Sequence, residues 1–288
     1  MSTYKYKIIN GGIKVLDFLS SFYLGKEKIK YFNINKNSIK VNNNYVNLNY
    51  LLNKDDNLEL ITNEVLDIKP LKKKINIIYE DDYFLIINKP TNILVHSDGS
   101  DNVDNTMCNA VAYYYSVKGY NFPIRYCHRL DKDTTGLMIF VKDPLTEAYI
   151  KHQIESRDLH RTYLAIVEGI IDKESIINKP IGRNRHINNK YMVSSTGKEA
   201  ITIVKPIKKF KKYTLVNVEL KTGRTHQIRV HLSSIGHPIL GDTLYGGANN
   251  LINRQALHSY YVKFLNPITN NIVEFSAPIP YDMSILIK

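Results

Sequence analysis

Apolar positions along this chain change period several times, and each change predicts an element. Ile13, Val15, Leu16, Leu19 and Phe22 recur at helical spacing, and a break at Leu24-Gly25 ends the run. Ile29, Phe32 and Ile34 continue a second short helix that carries Lys26, Lys28 and Lys30. Alternating residues around Asn42-Asn43-Asn44 predict a hairpin over 38–46, and Asp55-Asp56 marks a turn into a strand at Asn57-Leu58-Glu59-Leu60. Residues 77–90 then read as strand, acidic turn and strand, with Pro90 halting the ladder. Further strands are expected at 137–141, 162–168, 200–205, 213–220 and 271–275, with helices near 106–117 and 144–156. The two kinds of element mix without strict alternation. We therefore expect an α+β fold built on a large mixed, mainly antiparallel sheet. Residues 1–66 form a small α+β module before it, 67–74 a charged, proline-marked linker, and 75–288 the main domain.

Charge adds a partner to this picture. The chain has 288 residues and carries 39 Lys and Arg against 27 Asp and Glu, a formal net charge of +12. Thirteen lysines and seven acids fall within residues 1–74, so half of the surplus sits in about a quarter of the chain. Such an excess favours a polyanion, most commonly nucleic acid, although a lysine-rich coding bias produces the same numbers. No apolar run reaches the roughly 18 residues of a membrane span. The first residues lack the apolar stretch of a signal peptide. Cys108 and Cys127 are the only cysteines and form no C-x-x-C pair. We expect no disulfide framework, no zinc site, and a reducing cytoplasm.

Candidate chemistry gathers in three places. The run His128-Arg129-Leu130-Asp131-Lys132-Asp133-Thr134-Thr135-Gly136 places an acid on a tight loop at the lip of a buried strand. Asp131 there can serve as nucleophile, general base or turn cap. The second is Gly223-Arg224-Thr225-His226-Gln227-Ile228-Arg229-Val230-His231. If it is extended or opens a helix, Gln227, Arg229 and His231 are expected to share the polar side and Ile228 and Val230 the apolar one. An arginine here can neutralise a carboxylate with forked hydrogen bonds or grip a phosphate. His226 and His231 lie five apart, and no Cys or carboxylate completes a metal set, so none is expected. The third is Tyr163 in an apolar strand, either a core residue or a ring that stacks on an unpaired base. Dinucleotide and P-loop signals are absent, so no cofactor is expected.

The order H-R-L-D-x-x-T-[ST]-G resembles the active-site motif of the RluA-type RNA pseudouridine synthases. Further blocks agree in order: Tyr79-Glu80-Asp81-Asp82, Asn88-Lys89-Pro90 with His96, the strand Arg161–Gly169, the Gly223–His231 run, and Gly236-His237-Pro238-Ile239-Leu240-Gly241-Asp242. The resemblance implies a sheet of the pseudouridine synthase type. It implies that Asp131 is the catalytic aspartate, Tyr163 the base-stacking tyrosine and Arg229 the carboxylate's partner. Arg129 matches an arginine that holds the duplex open. His128, Arg224, His226, Lys26, Lys28 and Lys30 are expected to contact RNA. Helix, basic helix, hairpin and strand in residues 1–66 resemble the S4-type RNA-binding domain. The implied partner is RNA, large-subunit ribosomal RNA first and transfer RNA second, acted on by a monomer. One departure is visible: members usually read Asn-Lys-Pro-x-Gly, whereas Thr91-Asn92 follows Pro90 here. Asn tolerates the left-handed conformation, so the turn is expected to survive. Two competitors stand beside this reading. One is a non-catalytic RNA-binding factor. The other is a glycoside-type hydrolase, which requires two flanking carboxylates, and Asp133 is the only second acid nearby.

Overall fold

Thr135–Val141 is buried along its whole length, and the period of two in a strand explains how. Met138 and Phe140 enter one apolar cluster, while Leu137, Ile139 and Val141 enter another. The sheet is therefore covered on both faces. Phe84–Lys89 pairs antiparallel with this strand and divides its side chains likewise: Leu85 and Ile87 to one face, Phe84 and Ile86 to the other. Helix Met107–Val117 covers the first face through Met107, Val111 and Tyr115. Helix Pro144–Glu155 reaches the second through Ile150. Both helices start at side-chain caps. Thr106 and Asn109 form a capping box, and Asp143 accepts from the Leu145 and Thr146 N–H groups with Pro144 at the first helical position.

The computed structural model describes residues 1–66, 68–97 and 104–288; residue 67, the first of the expected linker, lies outside them. Among the described residues the large sheet has ten strands. Its main path runs Ser175–Asn178, Ile201–Lys209, Tyr213–Leu220, His160–Glu168, Leu257–Leu265, Thr135–Val141, Phe84–Lys89 and Ile77–Glu80. One pairing is parallel: Thr135 faces His258 and Gly136 faces Ser259. The mixed, mainly antiparallel sheet agrees with the expectation. Gly136 explains how the parallel pair closes. Its φ is 111°, and a Cβ there would lie 2.2 Å from the Ser259 carbonyl oxygen. Leu257–Leu265 was not anticipated, because His258 and Ser259 interrupt its apolar alternation while being buried themselves.

Residues 2–62 build a separate four-stranded sheet in the order Ser2–Lys7, Asn57–Thr62, Ile39–Val41 and Asn44–Tyr45. The hairpin turn places Asn42 and Asn43 at φ 48° and 70°, the left-handed pair that matches strand twist. Helices Val15–Ser21 and Lys26–Ile34 bury Val15, Leu19 and Phe32 against this sheet. Ile13, expected to open the first helix, lies instead in the short strand Ile13–Lys14. Ser2–Lys7 is an addition to the expected elements. Its burial alternates strictly, with Tyr4 and Tyr6 inward and Lys5 and Lys7 outward.

The two sheets are joined by specific contacts. Leu145 belongs to the apolar cluster of the smaller sheet. The Tyr6 hydroxyl donates to Asp143 Oδ1 at 2.6 Å. Arg125 bonds Glu64 and the Tyr4 hydroxyl and pairs with Glu147 at 3.2 Å. Lys28 lies 3.7 Å from Glu64 and 3.6 Å from Glu147, whereas Lys26 and Lys30 are exposed. No helix among the described residues is long and apolar enough to cross a membrane.

Candidate active site

The loop 127–134 is tied down from beneath. Lys89 is fully buried, and its ammonium donates to the carbonyls of Pro90, Ile93 and Lys132, each at 2.8 Å. Three acceptors match the three protons of an ammonium. Burial draws the Lys89 pKa down to about 7, against the raising pull of Asp133 and Asp131. The Ile93 N–H reaches the same Lys132 carbonyl at 3.2 Å, and the Thr134 N–H returns to the Asp131 carbonyl at 3.1 Å. Asn92 is left-handed at φ 58°, as its place in the turn demands, and its N–H donates to Asp133 Oδ1 at 3.2 Å. Asp133 is thereby turned to a structural task.

Arg229, on helix Gln227–Ser234, faces two acids. Its Nη1 donates to Asp131 Oδ2 at 3.0 Å. Its Nε and Nη2 form a fork on Asp242, at 2.7 and 2.9 Å. Burial alone would lower the Arg229 pKa. The hydrogen bonds and charges of Asp242 and Asp131 instead hold it above the ordinary guanidinium value. Asp131 keeps a quarter of its side chain exposed, at 25%. Its Oδ1 makes no hydrogen bond among the described residues, because both nearby donors address Oδ2.

The second of those donors is His226, whose Nε2 lies 3.8 Å from Asp131 Oδ2. A left-handed backbone at φ 56° sets its direction. Its Nδ1 is 2.9 Å from the Tyr245 hydroxyl, which itself accepts the Tyr191 N–H at 2.9 Å. In the tautomer that points an N–H at Asp131, Nε2 carries the ring proton and Nδ1 accepts the hydroxyl proton of Tyr245. Burial lowers the His226 pKa, which keeps the ring a neutral donor.

Other expected residues take varied positions. Tyr163 is buried at 4% exposure and lines the same cavity as Asp131. Arg129 is exposed, with Nη1 2.7 Å from His96 Nε2. Arg224 is exposed, and its Nε donates to the Glu199 carbonyl at 2.8 Å. His128, expected to contact RNA, is buried in the wall of the same cavity, and Ile139 N–H donates to its Nε2 at 3.4 Å. Burial, with the charge of Arg161, pushes its pKa down to about 3, so the ring is neutral. The expected sharing of one polar side by Gln227, Arg229 and His231 is corrected. In a helix, residues two apart point about 200° from each other. Gln227 accordingly bonds Thr222 and Ile201, and His231 bonds Thr202 and the Lys179 carbonyl. Sequence reasoning assigned no role to Asp242, Lys89 or Arg161. Asp242 lay in a quoted motif, but only the fold pairs it with Arg229. Among the described residues, no three His, Cys, Asp or Glu side chains are grouped to hold a metal.

These groups surround an open cavity of about 910 Å³, walled chiefly by the segments 127–134 and 220–229. It joins an anchored carboxylate, an aromatic ring and several cations, which suits an anionic substrate with a flat ring. A sequence model of the RNA pseudouridylate synthase family matches residues 83–234. The chain is 42% identical over 255 residues to the uncharacterized RNA pseudouridine synthase YhcT of Bacillus subtilis, covering 87% of this chain and 84% of that protein. It is 40% identical over 223 residues to the ribosomal large subunit pseudouridine synthase D of Vibrio cholerae, covering 73% and 68%. A solved structure of human RNA pseudouridylate synthase domain containing 1 superposes with a TM-score of 0.60 at 26% identity, over 74% of this chain and 87% of that one. With its fold, its site and its relatives in agreement, the chain belongs to the RNA pseudouridylate synthase family, in the RluA-type branch, and is an isomerase acting on uridine in RNA.

Proposed function

We propose that the protein isomerises specific uridines of large-subunit ribosomal RNA, with Asp131 as the catalytic carboxylate. The observation that carries this reading is the shared Arg229, which holds Asp131 by Oδ2 and leaves Oδ1 of this cavity-lining residue without a hydrogen bond among the described residues. In the reaction the bond from uracil N1 to ribose C1′ breaks, the ring turns, and C5 bonds to C1′. The proton lost from C5 is balanced by one gained at N1, so no oxidant or reductant enters. In this reading Oδ1 attacks C1′, removes a sugar proton or adds to the base, and each route begins at this one atom. Leaving the stack costs the target base a few kcal/mol, which attraction between basic groups and phosphates offsets. Tyr163 stacks on the displaced uracil, and Arg129 occupies the gap it leaves.

Residues 1–66 serve in this reading as an S4-like RNA-binding module, with Lys26 and Lys30 on its exposed surface. Residues 75–288 form the catalytic domain of a cytoplasmic monomer. The relatives named for the large ribosomal subunit support that RNA as substrate. Mapping pseudouridines in total RNA from a deletion strain and its parent tests the assignment. One or a few large-subunit sites should be lost; loss from transfer RNA alone would redirect it. Asp131→Asn should abolish tritium release from RNA carrying 5-tritiated uridine while RNA affinity changes less than about twofold. Release at the wild-type rate would refute the role of Asp131.

A further inference from the structure

The cavity wall holds a second guanidinium that the reaction scheme leaves unused. Arg161 lies near the start of strand His160–Glu168, two residues before Tyr163. It is 7% exposed and lines the same cavity as Asp131. Its buried Nε–H has no partner, and among the described residues the Arg161 side chain makes no hydrogen bond and no ion pair. His128, on the same wall, is in a similar state. Its Nε2 accepts from Ile139, so the ring proton sits on Nδ1, and that buried Nδ1 has no acceptor. Arg161 is near enough for its charge to weigh on the His128 ring. Buried donors seldom lack an acceptor, and buried charges lack a counter-charge more rarely still. A glycine stands beside the guanidinium tip. Gly223 is exposed, and a Cβ there would lie 3.6 Å from Nη2 and 3.7 Å from Nη1 of Arg161. A larger side chain at Gly223 would lie over the group.

We infer that Arg161 and His128 form an anion site for a phosphodiester oxygen of the RNA strand, at the target nucleotide or its immediate neighbour. The inference rests on the reading that this cavity receives RNA. A phosphodiester suits the site better than a uracil carbonyl, because Arg161 is a cation that forms no ion pair with an acid among the described residues. The fork of a guanidinium matches two phosphate oxygens, and a neutral histidine adds a donor.

The test uses RNA containing the mapped target uridine, with one neutral methylphosphonate placed in turn at each nearby phosphate. Arg161→Gln should weaken RNA binding about tenfold and reduce the slope of log affinity against log salt by about 0.7 to 1. One methylphosphonate position should weaken wild-type binding by a similar factor and leave Arg161→Gln unaffected. Independent losses at every position, or an unchanged affinity and slope, would overturn the inference and leave water as the partner of these donors. Inorganic phosphate alone supplies a further arm. Competition with RNA at wild type but not at Arg161→Gln, without a coupled methylphosphonate position, would assign the site to the free anion and overturn the phosphodiester. If Arg161→Gln does not fold, His128→Phe carries the same test with a coupling of about threefold, and its absence is equally decisive. Wild-type protein that neither binds nor modifies the RNA would sink the underlying reading, a result distinct from an Arg161 variant that behaves as wild type.

Discussion

Arg229 and Arg161 stand in the walls of one cavity, each 7% exposed. Arg229 meets a fork on Asp242 and a hydrogen bond to Asp131. Arg161 meets no acid among the described residues. The same side chain at the same depth thus does two kinds of work. A guanidinium answered within the chain fixes the geometry of its partners before substrate arrives. One left unanswered destabilises the empty site and is satisfied by what enters it. Opposite stability effects from one substitution would separate the two roles. Arg229→Met leaves the Asp242 charge buried without its cation and should cost about 3–5 kcal/mol in urea denaturation. Arg161→Met removes an uncompensated charge and should be neutral or stabilising. Equal losses in the two variants would break the comparison.

A pair of glycines sharpens it next. Gly136 shapes the end of the loop that presents Asp131 to Arg229, at φ 111° with the Ser259 backbone in contact range of any Cβ. Gly136→Ala should cost about 1–2 kcal/mol for the backbone and about 1–3 kcal/mol for the clash, read from thermal unfolding. Gly223 flanks Arg161, where a Cβ meets only ordinary contacts. Gly223→Ala should leave the melting temperature within about 2 °C of wild type. A large loss there would show that the Arg161 side is as tightly packed as the other.

Acid supplies a third comparison, on the Arg161 side. The folded pKa of His128, about 3, lies below its ordinary value of 6.5. Between those values the unfolded chain takes up a proton that the folded chain refuses, so stability falls as pH drops from 6.5 toward 3. His258, held near 4 chiefly by burial, contributes to the same decline. His128→Phe should flatten the dependence by up to about 1.4 kcal/mol per pH unit. Arg161→Met should flatten it less, since it removes only the smaller cause of the shift. Denaturation at pH 7, 6 and 5 checks both, and an unchanged slope in His128→Phe would place that ring in contact with water.

Asp131, Tyr163 and Arg229 were legible because their spacing within motifs is distinctive, and folding brings them to one cavity. The strands flanking the site were legible where both faces are apolar, as in Thr135–Val141. Legibility ended where a role depends on what is absent or distant. Arg161 at the start of a strand reads as an ordinary edge residue, and only the fold shows that no acid among the described residues pairs with it. Asp242 is an acid in a turn until a helix thirteen residues away turns Arg229 onto it. His128 and His226 looked alike as basic residues in polar motifs. Burial makes one a neutral wall group, and a left-handed backbone turns the other toward Asp131. Ser2–Lys7 alternates cleanly, but its six residues acquire meaning only from Asn57–Thr62 beside them.

The smallest effect concerns how finely the Arg229 side is set. The Tyr245 hydroxyl accepts from the Tyr191 N–H and shares a hydrogen bond with His226 Nδ1, while the Tyr245 ring lies 4.9 Å from the Arg229 guanidinium. Tyr245→Phe keeps the ring and removes both hydrogen bonds. The loss should be about 1–2 kcal/mol of stability, because a partly buried N–H is left unpaired. His226 is then free to carry its proton on Nδ1, which turns a lone pair instead of an N–H toward Asp131 Oδ2. Repulsion there should lower kcat several-fold with KM for RNA unchanged, since neither changed atom meets phosphate in this arrangement. A rise in KM at constant kcat would instead return His226 to the role of an RNA contact. It would also confine the preset half of the site to Arg229, Asp131 and Asp242.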